Sequence, residues 1–289
     1  MHLKNKFDIG EFAVLAEIET VKGVDVSGMV NNAKKVKGQV DAFVAPELAS
    51  AVMRMSALGA AMILQNKGFE TVMQVCCRDR NRLALQADLL SAYGTGISNI
   101  MVVKGEDPSF GDHHKTKPVY DIDEMELLSA VKSLQSGRDM AGIELTGAPS
   151  FFTGAALDIN AKGEAIDAEI EKMNRKVEAG VGFFITPPVF DVKSIEPFVS
   201  KVDKRKLNII PTVLLLKSVG MARYIDRHMQ NVTIPADTIK RIQKAADKAR
   251  ECVKIAAETI ITLKEEGYSG AMLSLMGWEH KMPEIFERL

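Results

Sequence analysis

A chain of 289 residues with 37 Lys and Arg against 38 Asp and Glu carries a formal charge of −1, too balanced for a general nucleic-acid binder. Hydrophobic residues make up 46% of it, enough for a large core, while 21 Gly and 10 Pro leave little for a disordered linker. Three Cys do not make a disulfide framework, so the thiols read as reduced and the setting as cytoplasmic.

The opening MHLKNKFDIGEF has no apolar signal core, and no apolar run reaches the roughly 18 residues of a membrane span. The first candidate strand is Phe12–Ile18, the second Asp41–Ala45. A helical pattern over Ala51–Gln65 leads to a strand at Thr71–Val75, and another over Arg80–Tyr93 leads to Ile100–Val103. Asp123–Leu134 opens with acids suited to a helix N-terminus and precedes a strand at Phe151–Leu157. Ile166–Ala179 has apolar residues at helical spacing and Gly180 as a stop, before Gly182–Thr186. Helices at Ser194–Val202 and Val219–His228 flank the strand Asn208–Leu214. Asp237–Glu266 reads as one long helix or two, ahead of a last strand at Ala271–Leu275.

Several of these strands are continuous apolar runs, the pattern of strands buried on both faces of a parallel sheet. About eight β-then-α units in one uninterrupted chain predict a single (β/α)₈ TIM barrel over residues 1–289. A doubly wound open sheet is the competitor. In a barrel the functional groups sit where strands end, so those ends are where chemistry is sought.

The first strand ends in Glu17 and Glu19, which share a side if the strand extends that far. A partly buried carboxyl there would have its pKa raised and could act as a general acid; a solvated rim acid is the plainer reading. The fourth strand runs into Lys104, Gly105, Glu106, Asp107 and Pro108, two acids beside a Gly that allows close backbone approach. Adjacent Cys76 and Cys77 are poorly spaced for zinc, and His113–His114 lies on a Gly/Asp-rich loop, so no metal site is expected. Neither a phosphate-binding P-loop nor a dinucleotide-binding glycine fingerprint follows any strand.

Together, five segments resemble the methylenetetrahydrofolate reductase family in its short, catalytic-domain-only bacterial form. They are AEIE at 16–19, CRDRNRLALQADLLSAYGTGISNIMVVKGEDP at 77–108, GAPSFFTGAALDIN at 147–160, NRKVEAGVGFFITPPVFD at 174–191 and NVTIPAD at 231–237. They occur in the family's order through most of the chain. The resemblance implies a flavoprotein barrel that reduces 5,10-methylenetetrahydrofolate to 5-methyltetrahydrofolate, or runs the reverse. Glu17 then matches the acid that assists protonation of folate N10. Glu106 or Asp107 matches an acid near flavin and pterin. Gln74 stands where many members have a flavin-side His; Lys104 and Gly105 match the fourth-loop flavin contacts, and Tyr120 and Asp121 match the next loop. Ala156, Asp158, Arg175 and Lys176 fall on the ribityl-phosphate side of the cofactor.

Two pocket positions depart from the pattern: Pro187 replaces a pterin-binding Gln, and Val219 stands where some members place a Phe against the folate. The family's usual cofactor is FAD; FMN shares the part of it that these residues surround. Electrons would come from NAD(P)H or an electron-donating partner subunit, in a homo- or hetero-oligomer. Two competing readings remain: a pterin-binding methyltransferase barrel acting with a corrinoid protein, and a flavin-carrying, non-catalytic subunit of a larger complex.

Overall fold

The computed structural model describes residues 2–204 and 206–289. Eight parallel strands close into a barrel in chain order: β1 (Ala13–Glu17), β2 (Ala42–Ala45), β3 (Thr71–Cys76), β4 (Asn99–Val103), β5 (Phe152–Ala156), β6 (Val181–Pro188), β7 (Asn208–Leu214) and β8 (Gly270–Ser274). Pairing of β1 with β8, Ala13 opposite Gly270, shuts the sheet, so the fold is the (β/α)₈ barrel and not an open sheet. Two registers slip, between Thr153 and Gly154 on β5 and between Ile185 and Pro188 on β6. The second lies at the Pro-Pro end of β6, where neither residue has an N–H for the ladder.

Around the barrel lie α1 (Leu3–Asp8), α2 (Ser27–Lys35), α3 (Ala57–Gln65), α4 (Arg82–Gly94), α5 (Glu124–Gln135), α6 (Ala165–Glu178) and α7 (Glu196–Val199). They are followed by α8 (Val219–His228), α9 (Ala236–Lys244), α10 (Lys248–Glu265) and α11 (Met282–Phe286). Side chains set most of the starts. Ser56, Asn81, Ser218 and Asp247 each accept a backbone N–H from the first turn of their helix, and Asp123 with Glu126 forms a reciprocal capping box on α5. The stretch expected as a helix from Ala51 begins instead at Ala57, because Leu48, Ser50 and Ala51 adopt left-handed φ of 46°, 55° and 55°. Ser194–Val202 shrinks to a 3₁₀ turn at Val192–Ile195 followed by the four-residue α7. The long Asp237–Glu266 segment is two helices, parted where Ala245 is extended and Asp247 caps α10. No helix among the described residues is long and apolar enough to cross a membrane.

Period-2 alternation splits the buried residues into two cores. Leu15, Val44, Val72, Met101, Phe183, Ile185, Ile210 and Met272 form the cluster inside the barrel, while intervening residues such as Ala16, Met73, Ile100 and Leu273 pack outward against the helices. Burial on both faces explains the unbroken apolar runs. The N-terminal helix α1 belongs to the inner core: Leu3 and Phe7 pack with it, and the Phe7 ring lies 5.8 Å from Phe152 and 6.5 Å from Phe183. Polar clamps hold α1 in place, with Leu3 N–H donating to Glu70 at 2.7 Å and Lys6 paired to Asp41 at 2.6 Å. The helix thus closes the N-terminal end of the barrel. Phe7→Ala is expected to cost about 3 kcal/mol, a drop of several degrees in thermal midpoint. An unchanged midpoint would show that α1 does not seal the barrel in solution.

Candidate active site

At the C-terminal mouth the strand ends and their loops enclose a pocket of about 480 Å³. The alternation that puts Leu15, Val72, Met101 and Ile185 inside carries Glu17, Gln74, Val103 and Pro187, two residues further along each strand, to its lining. Nine of the residues singled out from the sequence converge there: Glu17, Gln74, Lys104, Gly105, Glu106, Ala156, Asp158, Lys176 and Pro187.

Glu17 is the titratable centre. Burial among the strand ends pushes its carboxyl up to about 7; the Ser274 hydroxyl, donating to Oε1 at 3.2 Å, opposes this, and the carboxylates of Glu279, Glu19 and Glu106 reinforce it. The carboxyl is therefore about half protonated near neutrality, the condition for a general acid. Glu19 takes a different course. The strand ends at Glu17, and Glu19 forms a 2.5 Å ion pair with Arg54 of the β2 loop. The turn after β8, with Met276 and Gly277 both at positive φ, brings Glu279 back to this side of the mouth, where its Oε1 accepts the Gly277 N–H at 3.1 Å.

Gln74 is oriented by its neighbour: its Oε1 accepts the Glu47 N–H at 3.2 Å, which leaves the amide N–H pair to offer to a ligand. Glu47 is itself buried, accepting the Ala57 N–H at 2.6 Å and pairing with Arg80 at 2.8 Å. Lys176, on α6, donates to the Ala156 carbonyl at 2.9 Å and lies 3.9 Å from Glu124. Asp158 accepts from Asn231 at 2.9 Å and, at its own N–H, donates to Glu169 at 3.1 Å. Burial raises the Cys76 and Cys77 thiols to about 11 and about 12, so neither is a nucleophile near neutral pH.

Five expected site residues lie outside the lining. Asp107 caps the 3₁₀ turn that follows, accepting the Ser109 N–H at 2.8 Å, so Glu106 is the acid of that pair which faces the pocket. Asp121 pairs with Arg82 at 2.9 Å on the outer side of its loop. Tyr120 lines a smaller neighbouring cavity of about 330 Å³ that shares Lys104 and Glu124 with the main pocket. Arg175 is exposed on α6, and Val219 packs against the outer core at the start of α8.

The family model for methylenetetrahydrofolate reductase matches residues 9–289. The chain belongs to the methylenetetrahydrofolate reductase family. Methylenetetrahydrofolate reductase 2 of Schizosaccharomyces pombe is 23% identical over 212 residues, 71% of this chain and 32% of the relative, so the match spans about a third of that protein's length. Among solved structures, a Clostridium thermocellum protein described as binding two copies of 5-methyl-5,6,7,8-tetrahydrofolic acid has a TM-score of 0.65. It is 14% identical, with 99% of this chain and 97% of that one covered. EDTA monooxygenase from Chelativorans sp. BNC1 follows at a TM-score of 0.56, 8% identity and coverage of 96% and 92%. Both likenesses are of fold.

Within this methylenetetrahydrofolate reductase family member, sequence reasoning left out four charged pocket residues: Glu47, Glu124, Glu169 and Lys172. Three of the signals were present. Glu169, Lys172 and Lys176 are spaced i, i+3, i+7, one face of α6, whereas Arg175 lies about 120° around the helix from Glu169. Glu47 sits two residues past the end of β2, the position at which barrel strands deliver functional groups.

Proposed function

We propose that the pocket binds a flavin and a reduced folate and interconverts 5,10-methylenetetrahydrofolate and 5-methyltetrahydrofolate. The observation that carries the reading is Glu17, a buried acid with its pKa near 7 at the mouth of a barrel that belongs to this family. The folate ligand of the Clostridium thermocellum neighbour, on the same fold, supports the substrate class.

The donor set suits a flavin. Pro46, Ala49, Val103, Ala156, Leu157 and Pro187 offer apolar walls for a flat ring, Gln74 an amide donor, and Lys104, Lys172 and Lys176 cations for a phosphate. Of the acids beside them, Glu47 is engaged by Arg80, while Glu124 and Glu169 share Lys176 and Lys172 with the phosphate. Bound there, the reduced cofactor supplies the hydride that turns the methylene bridge into a methyl group. FAD is the cofactor in this reading, with NAD(P)H or an electron-donating partner subunit as the source of electrons.

The chain's own work is proton handling and placement. Glu17 in its protonated form gives its proton to folate N10 as the bridge opens to the iminium. In the reverse direction its carboxylate receives that proton. Ser274 holds the Glu17 carboxyl in one orientation through the 3.2 Å hydrogen bond. Glu106 offers a carboxylate to the donor edge of the pterin. Pro187 and Pro46 contribute surface without donors, so pterin recognition rests on the acids.

A visible spectrum of the purified protein, followed by anaerobic 5-methyltetrahydrofolate, tests this. A flavin band at roughly 450 nm that bleaches on addition is expected. A flavin indifferent to folate would point to the non-catalytic subunit. Folate binding without flavin, even after reconstitution, would point to a methyl-transfer barrel.

A further inference from the structure

Arg78 is the largest fully buried side chain among the described residues, 1% exposed, and it lies two residues past the end of β3, in the loop behind the pocket. Stripping a guanidinium of water is costly unless its donors are met. Here they are met by three different loops. Nε and Nη2 grip the two Asp79 oxygens, both at 2.8 Å. Nη2 also donates to the Leu48 carbonyl of the β2 loop at 3.2 Å, and Nη1 to the Glu106 carbonyl of the β4 loop at 3.1 Å, with Glu106 Oε2 3.6 Å away. The Arg78 carbonyl accepts the Val119 N–H at 2.7 Å. Its Cβ backs onto Gly105, at φ +90°, where a methyl group would lie 2.9 Å from it and 2.4 Å from Cys76 Sγ.

The attachments to the β2 and β4 loops adjoin the pocket. Leu48 lies between lining residues Glu47 and Ala49, and Glu106 with Gly105 is itself lining. The β2 loop needs such a hold, because Leu48, Ser50 and Ala51 are non-glycine residues in the left-handed region, a strained conformation for residues with a Cβ. An apolar residue at 78 would fill the space but would leave the Glu106 carbonyl without its donor and the Leu48 carbonyl with the Ala51 N–H alone, which ties it only to its own loop.

We infer that Arg78 is the positioning residue of this pocket: its guanidinium ties the β2 and β4 loops together and thereby fixes the Glu106 carboxylate against the ligand. The inference rests on the folate reading of the pocket, and it assigns Arg78 no contact with substrate or cofactor. It acts through Glu106.

A double-mutant cycle on 5-methyltetrahydrofolate binding, measured by calorimetry on the flavin-loaded protein, tests the coupling. Arg78→Lys keeps the charge and loses the fork, and Glu106→Gln removes the carboxylate's charge. Each alone is expected to weaken binding at least tenfold, and the double variant to bind within about twofold of Glu106→Gln. Effects that multiply to a hundredfold, the pattern of a merely structural Arg78, overturn the inference; so does wild-type affinity in Arg78→Lys. Should Arg78→Lys fail to fold, Asp79→Asn, which loosens the grip but keeps the guanidinium, takes its place in the cycle with the same expected pattern.

If the wild-type protein binds no folate, the functional reading falls, and hydrogen exchange on Arg78→Lys decides this inference separately. Loss of amide protection confined to residues 47–53 and 104–111 upholds the tie between loops. Unchanged or uniformly lowered protection overturns it.

Discussion

Glu17→Gln is expected to lower folate turnover by a factor of about 10²–10⁴ while making the protein more stable at alkaline pH. Both effects come from one carboxyl, raised by burial from its ordinary 4.5 to about 7. Below pH 4.5 the group is protonated in the folded and unfolded chains alike and contributes nothing. Between pH 4.5 and 7 the folded state holds the proton that the unfolded state has released, so stability falls as pH rises. Above 7 the whole cost of the desolvated carboxylate is in place, on the order of 3 kcal/mol. Gln cannot ionise, so Glu17→Gln should match the wild type near pH 4.5 and exceed it at pH 8. Thermal unfolding at the two pH values, alongside single-turnover rates, checks both halves. Equal stability at pH 8 would show that the carboxyl is better solvated than its position indicates. Unimpaired turnover would remove it from the mechanism.

The second large effect is on the fold. Gly154→Val should destabilise the barrel by more than about 3 kcal/mol. A Cβ at Gly154 would lie 2.2–2.8 Å from three atoms of the Phe183 ring, and that ring has no room to retreat. It is fully buried inside the barrel, 5.0 Å from Phe152 and 6.5 Å from Phe7. The glycine therefore exists to admit an aromatic side chain from the neighbouring strand. Shortening the ring should restore much of the loss, so Gly154→Val combined with Phe183→Leu is expected to unfold at a clearly higher denaturant midpoint than Gly154→Val alone. A single variant as stable as wild type would show that the inner core yields more easily than its packing implies.

Strands were the most legible part of this chain. β2, β3 and β8 could be located within a residue or two because burial on both faces leaves an apolar run with no competing period. Helix boundaries were read less well where the backbone, not hydrophobicity, decides. The Ala/Met-rich stretch from Ala51 has the composition of a helix, but its first residues adopt the left-handed region and only Ser56 supplies a cap. Helices α1 and α2 carried too few apolar residues to stand out, although α1 packs in the inner core. In the site, residues on strand ends could be found from the chain order of β-then-α units. The choice between Glu106 and Asp107 could not: it depends on Asp107 turning back to cap the next turn. The substitution of Arg175 by Lys172 on the pocket face is a matter of helical phase, legible once Lys176 is taken as the reference. Arg78 gave no signal, since a charged residue in a loop normally reads as solvated.

The helix that seals the floor of the barrel has a kinetic consequence for the acid above it. With Leu3 and Phe7 packed into the inner core, the path from the Glu17 carboxyl to bulk water among the described residues runs through the mouth. A flat ligand seated across that mouth severs the path for as long as it stays. A deuteron placed on Glu17 before the ligand arrives is then committed to the ligand, and its isotope escapes into the medium only as fast as the complex comes apart.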